Sequence, residues 1–189
     1  MKTLLGDEVI SLRALTISDI SGNYSNWFND PEIVEHNSHG RFPMTKEKLE
    51  TYVASIDLNT SLIVLAVIMR KTGVHIGNIS LQKINWIDRN AEIAFILGEI
   101  DHQSKGVMMR AGKLLINHAF NQLNLHRVYC GTLDTNFGMK RLAIKLGMQE
   151  EGRRLEAVYK NGSYVDILEY GITKTKNIKI NATGKLGSE

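Results

Sequence analysis

The sequence predicts an α+β fold built on a largely antiparallel sheet, and three observations carry that prediction. Read in order, the periodic runs are strand, two helices, three strands, helix, strand, helix and two strands. Turn signals that suit hairpins separate several of the strand runs, at Lys71-Thr72-Gly73 and again at Asn161-Gly162. The mixture of strand and helix runs, with Ala91 to Leu133 as a strand–helix–strand stretch, suits a mostly antiparallel sheet with one parallel crossover and not a doubly wound nucleotide fold.

Each element has its own justification. Glu8 to Leu15 alternates as a strand does, and Thr16 and Ser18 then supply capping chemistry for a helix to about Phe28, which Asn29-Asp30-Pro31 ends. Residues 32 to 44 have no sustained period. Thr45 is placed to cap a second helix whose apolar face carries Leu49, Tyr52, Val53 and Ile56. Strands follow at about 61–70, 74–86 and 91–97, the last after the turn-like Asp88-Arg89-Asn90. A helix from about Val107 shows Ala111, Leu115 and Ala119 at helical spacing. His126 to Leu133 reads as a strand, Asn136 to Leu146 as a helix capped by Gly147, and two strands flank Asn161-Gly162. One domain over residues 1–173 is expected, with 174–189 a polar, disordered tail.

Composition removes several function classes. With 23 basic and 20 acidic residues spread along the chain, the net charge of +3 offers no concentrated field for a phosphate backbone, so nucleic acid is not an expected partner. The only cysteine, Cys130, has no partner for an intramolecular disulfide, and the N-terminus has no long apolar stretch, so a cytoplasmic setting is expected. Ser61 to Met69 is strongly apolar but far shorter than the roughly 20 residues of a membrane helix, and it reads as a buried strand.

The stretch "HQSKGVMMRAGKLLINHAF", residues 102–120, carries the first chemical signal. Its apolar stripe packs the helix on the sheet and so fixes the helix N-terminus in space. That first turn presents unpaired N–H groups and the positive end of the macrodipole, and Gly106 lets a bulky anion approach the backbone. A phosphate suits this loop, although Ser104-Lys105-Gly106 taken alone could equally be a plain helix-entry turn.

Gln103-Ser104-Lys105-Gly106-Val107-Met108 resembles the pyrophosphate loop Gln/Arg-x-x-Gly-x-Gly/Ala of the GNAT acyltransferase superfamily, with Met108 where the last small residue usually stands. Further matches are Ile76-Gly77-Asn78-Ile79, Arg89-Asn90-Ala91-Glu92-Ile93, Asn124-Leu125-His126-Arg127-Val128 and Lys145-Leu146-Gly147-Met148. The likeness covers about residues 8–173 and is greatest to the branch of ribosomal-protein alanine, spermidine and amino-sugar acetyltransferases. It implies a sheet of about seven strands splayed between the fourth and fifth and flanked by about four helices. It also implies acetyl-CoA as co-substrate, with backbone groups of Phe95, Ile96 and Leu97 pairing with the pantetheine arm. The amides around Ser104, Lys105, Gly106, Val107 and Met108 would hold the diphosphate, with Gln103 at the loop's entry and Asn136 on the other wall. Ser104, where glycine is common, demands an ordinary backbone angle on this reading, and Met108 is tolerable if its backbone N–H makes the contact.

An alkylamine of pKa about 10 is protonated at neutral pH, so its attack on a thioester needs a proton acceptor and no metal. Glu92 is the leading base, acting through a water; the alternative is a strand glutamate satisfied by Arg89 or a cross-strand partner. Glu99 lies closer to the loop and is the poorer candidate. The tyrosine that many relatives carry seven residues after the asparagine is Ala143 here, so the usual general acid is missing, and Tyr129 or water would have to substitute. Cys130 as a nucleophile lacks a paired histidine and reads better as apolar filler.

Walls for the acceptor are expected from the irregular stretch holding His36, Asn37, His39 and Arg41, and from the last hairpin with Tyr164. The imidazoles and the guanidinium could meet a phosphate or carboxylate of the acceptor, or they could only tie down a surface loop. His36 and His39 have no third ligand nearby, so zinc is not expected. The favoured function is transfer of an acetyl group to a primary amine of a small molecule such as an amino sugar or polyamine. An N-terminal acetyltransferase of proteins and a non-catalytic acyl-CoA-binding module are the alternatives. No membrane partner is expected, and oligomeric state stays open, with a homodimer one option.

Overall fold

Alternating side chains that are apolar on both faces draw the strands into one sheet with a hydrophobic layer on each side. The computed structural model describes residues 2–37 and 39–183. Its strands are β1 (Leu5–Gly6), β2 (Ile10–Ala14), β3 (Ile63–Met69), β4 (His75–Asn85), β5 (Asn90–Leu97), β6 (Arg127–Leu133), β7 (Gln149–Lys160) and β8 (Ser163–Thr173). They order β1-β2-β3-β4-β5-β6-β8-β7. Every neighbouring pair is antiparallel except β5 and β6. The α-helices are α1 (Tyr24–Trp27), α2 (Lys46–Ile56), α3 (Val107–Asn121), α4 (Phe137–Lys145) and α5 (Lys174–Thr183).

The β3 run IVLAVIM is apolar throughout because both its faces are covered. Leu65 and Val67 join the core beneath α3 and α4, with Ile79, Leu115, Phe120 and Val128. Val64, Ala66 and Ile68 face the other way, into a layer formed by Tyr24, Trp27, Phe28 and the apolar side of α2. Trp27 and Phe28 are thus core residues. Trp27 lies flat against Gly98, where an added Cβ would sit 1.9 Å from the indole.

α3 is the crossover that makes β5 and β6 parallel. These two strands share only the pairs Asn90↔Arg127, Ala91↔Val128 and Glu92↔Tyr129. Beyond Glu92, β5 stays with β4 to Leu97 while β6 follows β8 to Leu133. The sheet therefore splays open between β5 and β6, as the resemblance implied.

Three expectations are corrected. One helix to Phe28 becomes a 3-10 turn, Ile17–Ser21, and the single-turn α1. The Asp19 carboxylate turns back to accept from the Thr16 N–H and hydroxyl at 2.8 and 2.9 Å and from both Arg13 guanidinium nitrogens, which holds the chain tight just after β2. The short β1 was not foreseen, and it makes eight strands where about seven were expected. Lys174–Thr183 is helical instead of a structureless tail, and Asn177 Nδ2 donates to Asn117 Oδ1 on α3 at 3.2 Å; residues 184–189 lie outside the described residues.

Candidate active site

The splay opens a cleft of about 1210 Å³ that runs from the loop before α3 through the sheet to the strap of chain between α1 and α2. At the loop end, Ser104 has φ +58° and Gly106 φ +74°. The ordinary angle expected at Ser104 is therefore not found. Left-handed residues alternating with ordinary ones turn successive N–H groups toward one concave side, and Ser104 is held in that pattern without the freedom of a glycine. The first α-type bond of α3 joins Arg110 N–H to Gly106 O at 3.1 Å, which leaves the amides of Val107, Met108 and Met109 with no acceptor inside the helix. Gly106 has open space on its Cβ side. Val107 is a core side chain, so it can serve an anion only through its backbone N–H, whereas Lys105 is exposed. Gln103, Ser104 and Met108 line the cleft itself.

The departure at Met108 has a structural counterpart. Its side chain reaches over β4, and a Cβ on Gly77 would come within 2.4 Å of both Met108 Cε and the Ile96 carbonyl oxygen. Gly77 thus makes room for a large residue where the family pattern has a small one.

Phe95, Ile96 and Leu97 line the wall left by β5. Their backbone groups are not equivalent. Gly98 N–H donates to Ile76 O on the β4 side at 2.9 Å, and alternation then gives Ile96 to β4 while Phe95 and Leu97 face the gap. Ile96 can offer its side chain only. Opposite stands Asn136, whose Oδ1 caps α4 by accepting from Met139 N–H at 2.9 Å.

At the narrow end of the splay, Glu92 lines the cleft with a side chain 23% exposed, and its Oε2 lies 2.8 Å from Lys83 Nζ. The partner is therefore Lys83, on the irregular stretch of β4 where that residue takes φ +51°, and not Arg89. Cys130 also borders the cleft, but its thiol is buried against Met148 Sδ at 3.7 Å, and burial pushes its pKa up to about 12. Such a thiol is no nucleophile at neutral pH. Ala143 is fully buried. Tyr129 pairs beside Glu92 in the sheet and is not among the residues that line the cleft. Glu99 is engaged by Trp27 Nε1 at 3.2 Å and Asn23 Nδ2 at 3.1 Å.

The strap lies at the other end, where His36, Asn37, His39 and Arg41 all border the cleft. Arg41 Nη2 donates to Tyr159 O at 3.1 Å, and Lys160 Nζ donates to Val34 O and Asn37 O at 2.9 and 2.8 Å. The strap is thus tied to the tip of the β7–β8 hairpin. His39 stands edge-on to Phe28 at 4.8 Å, and burial lowers its pKa. Tyr164 does not join the site. It is 65% exposed and meets Tyr159 edge-on with ring centroids 5.2 Å apart, because the period-two alternation of β8 turns it to the outer side of the hairpin.

Sequence reasoning missed a polar row on β4. Asn78, Ser80 and Gln82 all face the cleft, and the strict alternation Asn-Ile-Ser-Leu-Gln inside an apolar strand was the available signal. Tyr24 and Tyr52, which wall the same region, had none beyond their helical spacing.

The model of the acetyltransferase (GNAT) domain family matches residues 10–149. The spermidine N(1)-acetyltransferase of Vibrio cholerae is 33% identical over 101 residues, 53% of this chain and 58% of that protein. YdaF of Bacillus subtilis, whose name connects it with ribosomal N-acetylation, is 31% identical over 98 residues, 52% of this chain and 53% of that one. The chain spans about half the length of these curated relatives. Among solved structures, spermidine N-acetyltransferase from Vibrio cholerae in complex with CoA and spermine superposes with a TM-score of 0.83 at 26% identity, covering 91% of this chain and 99% of that one.

Proposed function

Because the chain belongs to the GNAT acetyltransferase domain family, we propose that it is an acetyl-CoA-dependent N-acetyltransferase acting on a primary amine of a small molecule. The observation that carries this reading is the continuity of the cleft: it joins a loop of unpaired amides, a strand edge without a partner and Glu92. The row of donors at the start of α3 suits a diphosphate, whose oxygens can only accept. The exposed edge of β5 at Phe95 and Leu97 suits an amide-bearing arm that adds as a further strand.

Bound acetyl-CoA supplies the activated acyl group. The amides of Ser104 to Met109 hold its anionic end, and Phe95 and Leu97 set its depth. Glu92, held by Lys83 at the closed end of the splay, accepts the proton that an alkylammonium must lose before its nitrogen can attack, directly or through one water. Ala143 itself offers no proton to the departing sulfur. A thiol of ordinary pKa, about 8.5, departs as a thiolate with little assistance. The strap is fastened to the hairpin tip by Arg41 and Lys160 across the acceptor end, which supports a small amine over the N-terminus of a folded protein.

Release of free thiol from acetyl-CoA, followed across amino sugars, polyamines, aminoglycosides and peptide N-termini, tests the proposal. Turnover with at least one small amine is expected, together with calorimetric heat on titrating CoA. Absence of CoA binding at millimolar concentration would overturn it. The buried Ala143 favours one second reading, a non-catalytic acyl-CoA-binding module. That module would bind CoA tightly, turn over none of these amines and be indifferent to Glu92→Gln.

A further inference from the structure

The cleft has a lobe between α1, α2 and the sheet face opposite α3, and the floor of that lobe carries more hydrogen-bond donors than the protein uses. Cross-strand register builds it in rows. Ala66, Asn78 and Ile96 lie deepest, then Val64, Ser80 and Ala94, then Gln82 and Glu92 at the outer end. Successive rows are two residues apart, about 7 Å along the strand.

Tyr24 forms the inner wall. It is 1% exposed and borders the cleft, and its hydroxyl is buried with no hydrogen-bond partner among the described residues. The Asn78 amide lies close enough to act on the phenol, yet no bond of normal geometry joins them. A buried hydroxyl left unpaired is costly, so such groups generally await a partner.

The orientation of Asn78 follows from its neighbour. His75 Nε2 lies 3.0 Å from Gly77 O and 2.8 Å from Asn78 Oδ1. A backbone carbonyl can only accept, so Nε2 carries the hydrogen and Asn78 Oδ1 receives it. What Asn78 has left to offer is its NH₂. Ser80 Oγ accepts from Gln82 Nε2 at 2.9 Å, and the hydroxyl proton of Ser80 has no acceptor among the described residues. Three unused donors therefore face one lobe. The carboxylates that border the cleft, Glu32, Glu35 and Glu92, come from the strap and the outer row and not from the rows of Ser80 and Asn78.

Resting on the reading of the cleft as an amine acetyltransferase site, we propose that Tyr24 and Asn78 are specificity-determining residues that hold an oxygen of the acceptor. The amine then reacts beside Glu92 while a hydroxyl or carbonyl oxygen, held one to two rows deeper along β4, accepts from Ser80, Asn78 or Tyr24. The substrate class is a primary amine that also bears oxygen, as amino sugars do. A plain polyamine presents only N–H donors in its protonated form, which the Asn78 NH₂ cannot meet.

The test titrates glucosamine, an amino-sugar nucleotide, a 2-deoxystreptamine aminoglycoside and, as oxygen-free controls, spermidine and 1,6-diaminohexane into the full chain, with and without saturating CoA. Wild type should favour at least one oxygen-bearing amine over both controls. Tyr24→Phe should weaken that ligand about tenfold, the scale of one hydrogen bond, with control binding and CoA affinity unchanged and a melting temperature that holds or rises. Where turnover occurs, the change should fall on KM and leave kcat alone. Equal or better binding of the controls, no binding of any oxygen-bearing amine, or a Tyr24→Phe effect equal for both groups would overturn the proposal. Because binding is read without chemistry, a protein that fails to acetylate yet shows the Tyr24 dependence keeps the oxygen site and loses only the transferase.

Discussion

Glu92 and Cys130 lie within the same cleft, and burial and partners separate their roles. The carboxylate keeps some solvent and one cation at 2.8 Å, so it stays within reach of a ligand in the cleft. Glu92→Gln is expected to lower kcat/KM by about a hundredfold or more, the range of a lost general base, while calorimetry finds CoA affinity unchanged. Unaltered turnover would reduce Glu92 to a partner of Lys83. The Cys130 thiol, with its pKa raised to about 12, is almost wholly protonated at pH 8. Cys130→Ala should therefore keep turnover within a few-fold, and the folded protein should resist iodoacetamide; prompt alkylation or a dead variant would restore a covalent route. Both residues were legible in the sequence, because a carboxylate or thiol declares its chemistry by type. Tyr24 was not, since nothing in its neighbourhood along the chain tells that its hydroxyl will be left without a partner.

Among the elements, β5 depends on close approach to β4. Gly77→Ala would drive a methyl group into the Ile96 carbonyl and Met108 Cε, both at 2.4 Å. A loss of about 1 to 3 kcal/mol is expected from such overpacking. CoA binding should weaken as well, because the displaced atoms belong to the cleft wall; urea unfolding and CoA titration of one preparation check the two effects. The Arg13–Asp19 clamp after β2 has a pH signature. Burial alone would raise the Asp19 carboxyl, but the Arg13 guanidinium and the Thr16 donors outweigh it and hold the group at about 2, below its ordinary 3.8. A depressed folded-state pKa means stability that is present above the unfolded value and lost as pH falls through the folded one, here from about 4 down to about 2. The contribution is on the order of 2 kcal/mol. Between pH 6 and pH 3, urea midpoints of wild type should therefore fall further than those of Asp19→Asn. A parallel decline would show that the clamp does not carry it.

Across the whole molecule, two halves of one sheet meet through three residue pairs between β5 and β6, backed by α3 and α4 on one face. A ligand laid in that gap joins both halves and binds only the folded chain. CoA at a hundred times its dissociation constant should therefore stabilise by about 2.7 kcal/mol and slow hydrogen exchange in both β5 and β6. A rise in melting temperature with protection of β5 alone would mean that the arm does not bridge the splay. The register of these strands was beyond reach from the sequence, since pairing between β5 and β6 spans the whole of α3.

What the sequence determined by itself was the set of elements and the anion loop. Period-two and helical alternation, Asn161-Gly162 and the Gly106 entry to α3 are local signals, and local sterics and hydrogen bonding act on them directly. It misjudged Ser104, which takes φ +58°, and the stretch to Phe28, where the Asp19 carboxylate turns back to Thr16 and Arg13 and tightens the chain into a 3-10 turn. Only the tertiary structure decided that Lys83 and not Arg89 meets Glu92, that Tyr164 faces outward, that Met108 is admitted by Gly77, and that Tyr24, Asn78 and Ser80 share one lobe. Those outcomes depend on which strands lie side by side and in what register, and register is set by burial of the sheet's two faces taken together.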